Sequence, residues 1–141
     1  MVIYAESSAA VAWLFRESRA FEVETLLQAA TRTVASDLTL IECDRALRRA
    51  VAARRIDEKA AQAIHSKSAG VASAWDILSL VPAIVQRARG DFPGEPIRSL
   101  DALHVAWALH AKAVYPQLSI LSLDDRVRRV SAALGVAALP A

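Results

Sequence analysis

From Ile97 to Ala113 the chain reads IRSLDALHVAWALHAKA, and this stretch limits the fold more than any other. Leu100, Ala102, Leu103, Val105, Ala106, Trp107, Ala108, Leu109 and Ala111 make a helix with almost no polar face. Such a helix must be buried on most sides, so other elements have to surround it. Ser99 stands where a hydroxyl caps a first turn. Asp101 lies in that turn, where the helix dipole favours a carboxylate. His104 follows on the same face. A buried carboxylate needs a partner. The helix holds no Lys or Arg before Lys112 on this reading, so the partner is expected from elsewhere in the chain, from another chain or from a metal ion.

The rest of the chain alternates strand and helix patterns. Val2–Ala5 is a fully apolar run of strand length, followed at once by Glu6 and by a helix through Ala9–Phe15 that Ser7 or Ser8 can cap. A second helix is expected over Arg16–Ala30, a short strand at Thr33–Ala35, and a helix over Asp37–Ala53 capped by Ser36. Arg45, Arg48, Arg49 and Arg55 make a basic stripe on that helix, read as a solvated face in preference to a phosphate-contact surface. A helix opened by Asp57 runs toward Gly70, Trp75–Val81 is strand or helix, and Pro82 starts a helix through Arg89. Gly90–Pro96, GDFPGEP, is a loop able to form the lip of a cleft. After the central helix come a strand at Ser119–Leu123, Asp124, a helix through Arg126–Leu134 stopped by Gly135, and a last strand at Val136–Leu139. Strands alternating with helices predict an α/β domain spanning residues 1–141, its central parallel sheet flanked by helices on both faces.

Composition narrows the class. The chain of 141 residues suits one domain. A hydrophobic share of 55% is high for a small domain and points to a covered surface, hence to a homodimer. No apolar run reaches membrane-span length. The N-terminal segment lacks the basic start of a secretory signal. The single cysteine, Cys43, excludes a disulfide framework and a cysteine-based zinc site. A cytoplasmic protein is expected. Of the 17 basic residues, 14 are arginine, whose forks suit phosphate.

Four carboxylates follow a strand or open a helix: Glu6, Glu42, Asp101 and Asp124. In an open parallel sheet those places face the crevice beyond the strand ends. No Lys, His or Cys is placed by spacing to neutralise them, and like charges held close need a cation. Carboxylate oxygens without imidazole or thiolate suit Mg²⁺ or Mn²⁺, the ions of phosphoryl chemistry. Spacing alone is better met by a set of unrelated caps. His104 reads as a histidine bonded to a neighbour in preference to a general base. Trp13 and Trp107 read as packing residues in preference to base-stacking platforms.

The ordered set YAESSAAVAWL, SDLTLIECDRALRR, IRSLDALHVAWAL and ILSLDDRVRRVSAALGV resembles the PIN-domain fold, and most of all the ribonuclease toxins of the VapC type. The most specific parts are Asp101-Ala102-Leu103-His104 with Ala106, and Ser122-Leu123-Asp124 ahead of a helix and Gly135. The resemblance implies a Mg²⁺- or Mn²⁺-dependent endoribonuclease acting on RNA such as tRNA, a homodimer, and restraint by a VapB-type antitoxin. Glu42, Asp101 and Asp124 match its acidic positions, and Ser8 and Ser122 its small hydroxyl residues. On this basis Glu6 and Asp101, then Asp124, are expected to hold metal. Glu42 is expected to orient water or hold a second ion, with Ser8 and Ser122 orienting the acids.

Glu6 departs from the pattern, which has Asp there. The extra methylene moves the carboxylate by about 1–1.5 Å, enough to matter in catalysis. Three outcomes follow: a site repacked around Glu6, a metal site that cleaves slowly, or a low-activity protein acting through its antitoxin.

Overall fold

The computed structural model describes residues 1–141. Strand β1 (Val2–Ala5) lies at the centre of a five-stranded sheet. It pairs with β2 (Arg32–Ser36) on one side and β4 (Ser119–Leu121) on the other. The edges are β3 (Asp76–Leu78) and β5 (Ala138–Leu139), giving the order β3-β2-β1-β4-β5. Every pairing is parallel. The chain builds outward from β1 through β2 and β3, then returns to the other side for β4 and β5. The order therefore reverses beside β1, where an open parallel sheet leaves a crevice at its C-terminal edge.

Four consecutive apolar residues form β1 because both faces of that strand are covered. Val2 and Tyr4 point to one face and Ile3 to the other. On the first face they join Val34 and Ile120 against Ile84 of α5 (Pro82–Ala88), the apolar side of α6 (Ser99–Val114), and Val127 and Val130 of α7 (Asp125–Ala133). On the opposite face, Ile3 and Leu121 pack against Ala9 of α1 (Ser7–Leu14) and Val23 of α2 (Ala20–Ala29). A smaller cluster of Ala10, Leu14 and Cys43 joins α1 to α3 (Asp37–Ala52), which packs in turn on α4 (Glu58–Ala74). Burial pushes the Cys43 thiol up to about 12, with nearby Asp44, Glu42 and Glu6 adding to the effect. It is a packing residue.

Most of the predicted burial of the central helix is present: Ala102, Val105, Ala106, Trp107, Ala108 and Ala111 are inside, Leu103 and Leu109 are half-buried, and Leu100 is exposed. Trp107 is 2% exposed and its Nε1 donates to the Ser79 carbonyl at 3.0 Å. Trp13 stacks on Trp75 with ring centroids 5.9 Å apart. Ser99 does not cap α6. The cap position belongs to Arg98, whose side chain caps no backbone N–H of the helix. Ser7 and Ser8 likewise lie inside α1, and Glu6 is the residue before it. The caps predicted at Ser36 and Asp57 are present, each side chain accepting a backbone N–H. The ambiguous Trp75–Val81 resolves as a three-residue edge strand, and α4 continues past Gly70 to Ala74.

The helix expected over Arg16–Ala30 is shorter, because a chain reversal separates it from α1. Arg16 takes a left-handed conformation, φ 57°. Its N–H reaches the Trp13 carbonyl, and the Glu17 N–H reaches that of Ala12. This is a Schellman ending, usually marked in sequence by glycine. The same two bonds close α3 at Arg54, φ 54°, and α7 at Gly135, φ 80°. Only the last uses the residue without a Cβ penalty.

Arg54 is exposed and makes no ion pair. Arg54→Gly is therefore expected to stabilise the protein by about 1 kcal/mol, the cost of holding an L-residue in the left-handed region. Urea denaturation measures it. A loss of stability would mean that the Arg54 side chain supports the turn.

Candidate active site

Two strand ends meet where the sheet order reverses. The Glu6 N–H donates to the Leu121 carbonyl at 3.0 Å, so the residues after β1 and β4 are neighbours. Around them Glu6, Glu42, Asp101 and Asp124 line one cleft of about 410 Å³, together with Ser7, Ser8, Arg49 and Arg98. Glu17, which sequence reasoning passed over, lies on its wall. All four expected acids are thus brought together, from the β1–α1 junction, α3, α6 and the β4–α7 turn. Long-range pairing decides this, since Glu6 and Asp124 are at opposite ends of the sequence.

Glu6 is 4% exposed. A carboxylate so placed needs donors, and three hydroxyls supply them. Ser122 donates to Glu6 Oε2 at 2.8 Å, Ser8 donates to the same oxygen, and Ser7 Oγ lies 2.8 Å from Oε1. Backbone amides aim two of these hydroxyls. The Leu123 N–H donates to Ser8 Oγ at 2.8 Å and the Asp124 N–H to Ser122 Oγ at 3.1 Å. With those lone pairs taken, each hydroxyl proton is free to point at Glu6. The longer side chain is therefore accommodated by a hydroxyl cradle. Ser8 and Ser122 fill the two acceptor directions of Oε2, and Ser7 stands at Oε1.

Glu42 is held from the other side. Its Oε1 accepts from His104 Nε2 at 2.6 Å and lies 2.9 Å from Ser7 Oγ. Ser7 has a single proton, so Glu6 and Glu42 share it. A carboxylate only accepts, so His104 Nε2 carries a hydrogen. The opposite ring nitrogen, Nδ1, is 2.9 Å from the Tyr4 hydroxyl, which bonds Ser36 Oγ at 2.9 Å. Thr39 completes the string by donating to the Ala5 carbonyl at 3.1 Å. Burial pushes the Tyr4 phenol far above its usual range, so it stays protonated. Burial alone would raise the Glu42 carboxyl. The bond and charge of His104, with help from Ser7 and Arg49, outweigh it and hold Glu42 below the ordinary carboxylate range. His104, 1% exposed, is bonded as the sequence reading preferred. It also corrects the expectation that no histidine neutralises the acids, which failed because Glu42 approaches from another helix.

Asp101 and Asp124 form a separate group. Arg98 Nε donates to Asp101 Oδ2 at 3.1 Å, and an Arg98 terminal nitrogen lies 3.6 Å from Asp124 Oδ2. The Asp101 bond, then the charges of both acids, raise the Arg98 guanidinium above its usual value. The partner of Asp101 is thus within its own stretch, three residues earlier, contrary to the expectation of a partner from outside the helix. The i,i+3 spacing was visible in the sequence; it went unread because Arg98 precedes the apolar pattern. Asp124 is partly the helix cap that spacing alone favoured: its Oδ1 accepts from the Arg126 and Val127 N–H groups at 2.9 and 3.1 Å.

The loop Gly90–Pro96 is not the lip of this cleft. Its Glu95 carboxylate turns inward to the Phe92 and Ile97 N–H groups. Pro93, Gly94 and Pro96 line a separate cavity beside Arg126 and Arg129.

The donor chemistry of the cleft fits a hard divalent cation, since carboxylate oxygens dominate it: Asp101 Oδ1 and Glu42 Oε2 are uncommitted, and the Oδ2 atoms of Asp101 and Asp124 face only the exposed Arg98 side chain. No three acidic, imidazole or thiol groups are gathered at ligating distance as the side chains now stand. The hydroxyl cradle and Arg98 take up the oxygens instead.

The pH dependence of stability tests the Glu42 pairing. A carboxylate lowered in the folded state stabilises above its unfolded pKa and loses that contribution as pH falls through the folded value. The stability difference between the wild type and Glu42→Gln, from urea denaturation, is expected to be level near neutrality. It should shift against the wild type below about pH 4.5, the ordinary glutamate value. A difference that stays flat into acid would show that Glu42 is not held by His104.

Comparison with known proteins agrees with the fold. The model of the PIN domain matches residues 3–133. The chain is 28% identical over 138 residues to ribonuclease VapC35 in two strains of Mycobacterium tuberculosis, an alignment covering 96% of this chain and 94% of the relative. Its fold is similar to the crystal structure of VapC20 from Mycobacterium tuberculosis, described as a Sarcin-Ricin loop cleaving toxin. The TM-score is 0.64 with 17% identity, over 95% of both chains.

Proposed function

The chain belongs to the PIN-domain family, and from that premise we propose that it is a metal-dependent endoribonuclease, the toxin of a VapBC-type toxin–antitoxin pair. The observation that carries this reading is the convergence of Glu6, Glu42, Asp101 and Asp124 on one cleft at the reversal point of a parallel sheet. The ribonuclease relatives favour it over a partner-binding protein without activity.

Glu6, Asp101 and Asp124 would hold Mg²⁺ or Mn²⁺, which when bound polarises a phosphodiester oxygen and makes water a better nucleophile. Ser8 and Ser122 fix the direction of the Glu6 carboxylate through their bonds to Oε2. Glu42, kept ionised and of low basicity by His104, is suited to orient the attacking water through its second oxygen and not to take its proton. Arg49, on the cleft wall beside Glu42, meets the RNA backbone by charge and carries no sequence preference. The cradle of hydroxyls supports the first of the three outcomes for Glu6, a site repacked around the longer acid.

The partners follow from the same reading: RNA, with tRNA as one substrate to try, a VapB-type antitoxin, and a second copy of the chain. Phe21 at 78% and Val114 at 68% exposure leave large apolar side chains for such partners to cover. No helix is long and apolar enough to cross a membrane, in keeping with a cytoplasmic toxin.

Cleavage of a mixed tRNA substrate, with Mn²⁺ and with chelator, is the direct test. Asp101→Asn is expected to remove Mn²⁺ binding in calorimetry and cleavage in the assay while the folded circular dichroism spectrum remains. Cleavage that persists in chelator overturns the metal dependence; unfolding of the variant makes Asp101 a structural group. Glu6→Asp is expected to cut the cleavage rate about tenfold or more, because a shorter acid leaves the hydroxyls arranged for glutamate. A rate increase would show instead that Glu6 restrains the site.

A further inference from the structure

We propose that Arg98 is a resident counter-cation of the cleft, displaced when a divalent ion binds, and that it thereby sets the metal affinity of the site. The inference rests on the metal-dependent reading above and goes beyond it. One guanidinium spans two acids expected to hold the ion, and it does so through Oδ2 of each: 3.1 Å from Asp101 and 3.6 Å from Asp124. Asp124 has no substitute to offer, since its Oδ1 caps α7. A divalent ion of Mg²⁺ size ligates at about 2.0–2.1 Å. The guanidinium stands in front of both oxygens, bonded to the first and at ion-pair distance from the second, and the charge of an arriving divalent ion repels it from that place.

Burial makes the exchange cation for cation. The Asp101 side chain is 11% exposed and needs a positive partner at all times, whereas Arg98 is 64% exposed and can swing into solvent without losing buried contacts. The arm is anchored: Arg98 sits at the start of α6, directly after the loop that Glu95 ties down, so only its side chain has to move. The cleft is thereby charge-compensated before metal arrives. That compensation lowers the affinity for the ion.

The test is Mn²⁺ titration by calorimetry on the full chain, as wild type, Arg98→Gln, Arg98→Ala and Arg55→Gln. Arg55 is exposed, outside the cleft, and removes the same net charge. Both Arg98 variants are expected to bind Mn²⁺ about fivefold more tightly than the wild type, the most an exposed ion pair of this kind supplies, with Arg55→Gln close to the wild type. Binding by the Arg98 variants alone also supports the proposal. Equal or weaker binding by the Arg98 variants, or equal tightening by Arg55→Gln, overturns it and leaves the metal-dependent reading intact. Failure of every protein, Arg98 variants included, to bind Mn²⁺ overturns both. Mn²⁺-dependent thermal stabilisation gives the same ordering without reference to catalysis.

Discussion

A buried carboxylate at the end of the central strand has to be satisfied, and much of the site is arranged to do it. Glu6 continues the extended backbone of β1 and is nearly sealed from water. Its three hydroxyl partners come from the first turn of α1 and from the turn after β4. Two of those hydroxyls are themselves aimed by backbone amides of the β4–α7 turn. One acid therefore ties together the two strand ends at which the sheet reverses order. The requirement is electrostatic, since an ionised group in a low-dielectric setting is costly without donors.

The remaining acids divide into two electrostatic neighbourhoods. Glu42 belongs with His104, Tyr4, Ser36 and Thr39, a string of polar groups running back to the Ala5 carbonyl. Every link in it is buried or half-buried, so each group is fixed by the next. Asp101 and Asp124 belong with Arg98 at the open side. The inner neighbourhood is buried or half-buried and bonded link by link, while the outer one depends on a single exposed arm. A cleft of this kind keeps the geometry of its inner acids and can exchange the partner of its outer ones.

Glu6 was the one residue at odds with the family pattern. In sequence it is a glutamate in an aspartate's place. In the structure the added reach is met by Ser7, Ser8 and Ser122, which surround the carboxylate where the longer side chain delivers it. The chain is locally consistent around the substitution, and a departure in length becomes a different set of hydrogen bonds.

Local rules made the alternation of strands and helices, the burial of α6, the caps at Ser36 and Asp57, and the placement of Glu6, Asp101 and Asp124 at strand ends or helix starts readable from the sequence alone; Glu42 lies instead in the second turn of α3. Periodicity and capping act within a turn or two of chain, and a single sequence contains all that they need. The helix ends at Phe15 and Ala53 were also readable to within a residue, but the left-handed turns at Arg16 and Arg54 were not, because the usual glycine is missing and an arginine stands in its place. The partners of the acids escaped as well: Ser122 is 116 residues from Glu6, and His104 is 62 from Glu42. Which strand ends lie side by side is decided by the sheet order, and the sheet order by packing the whole chain on both faces of β1. Only then does a carboxylate find its donors.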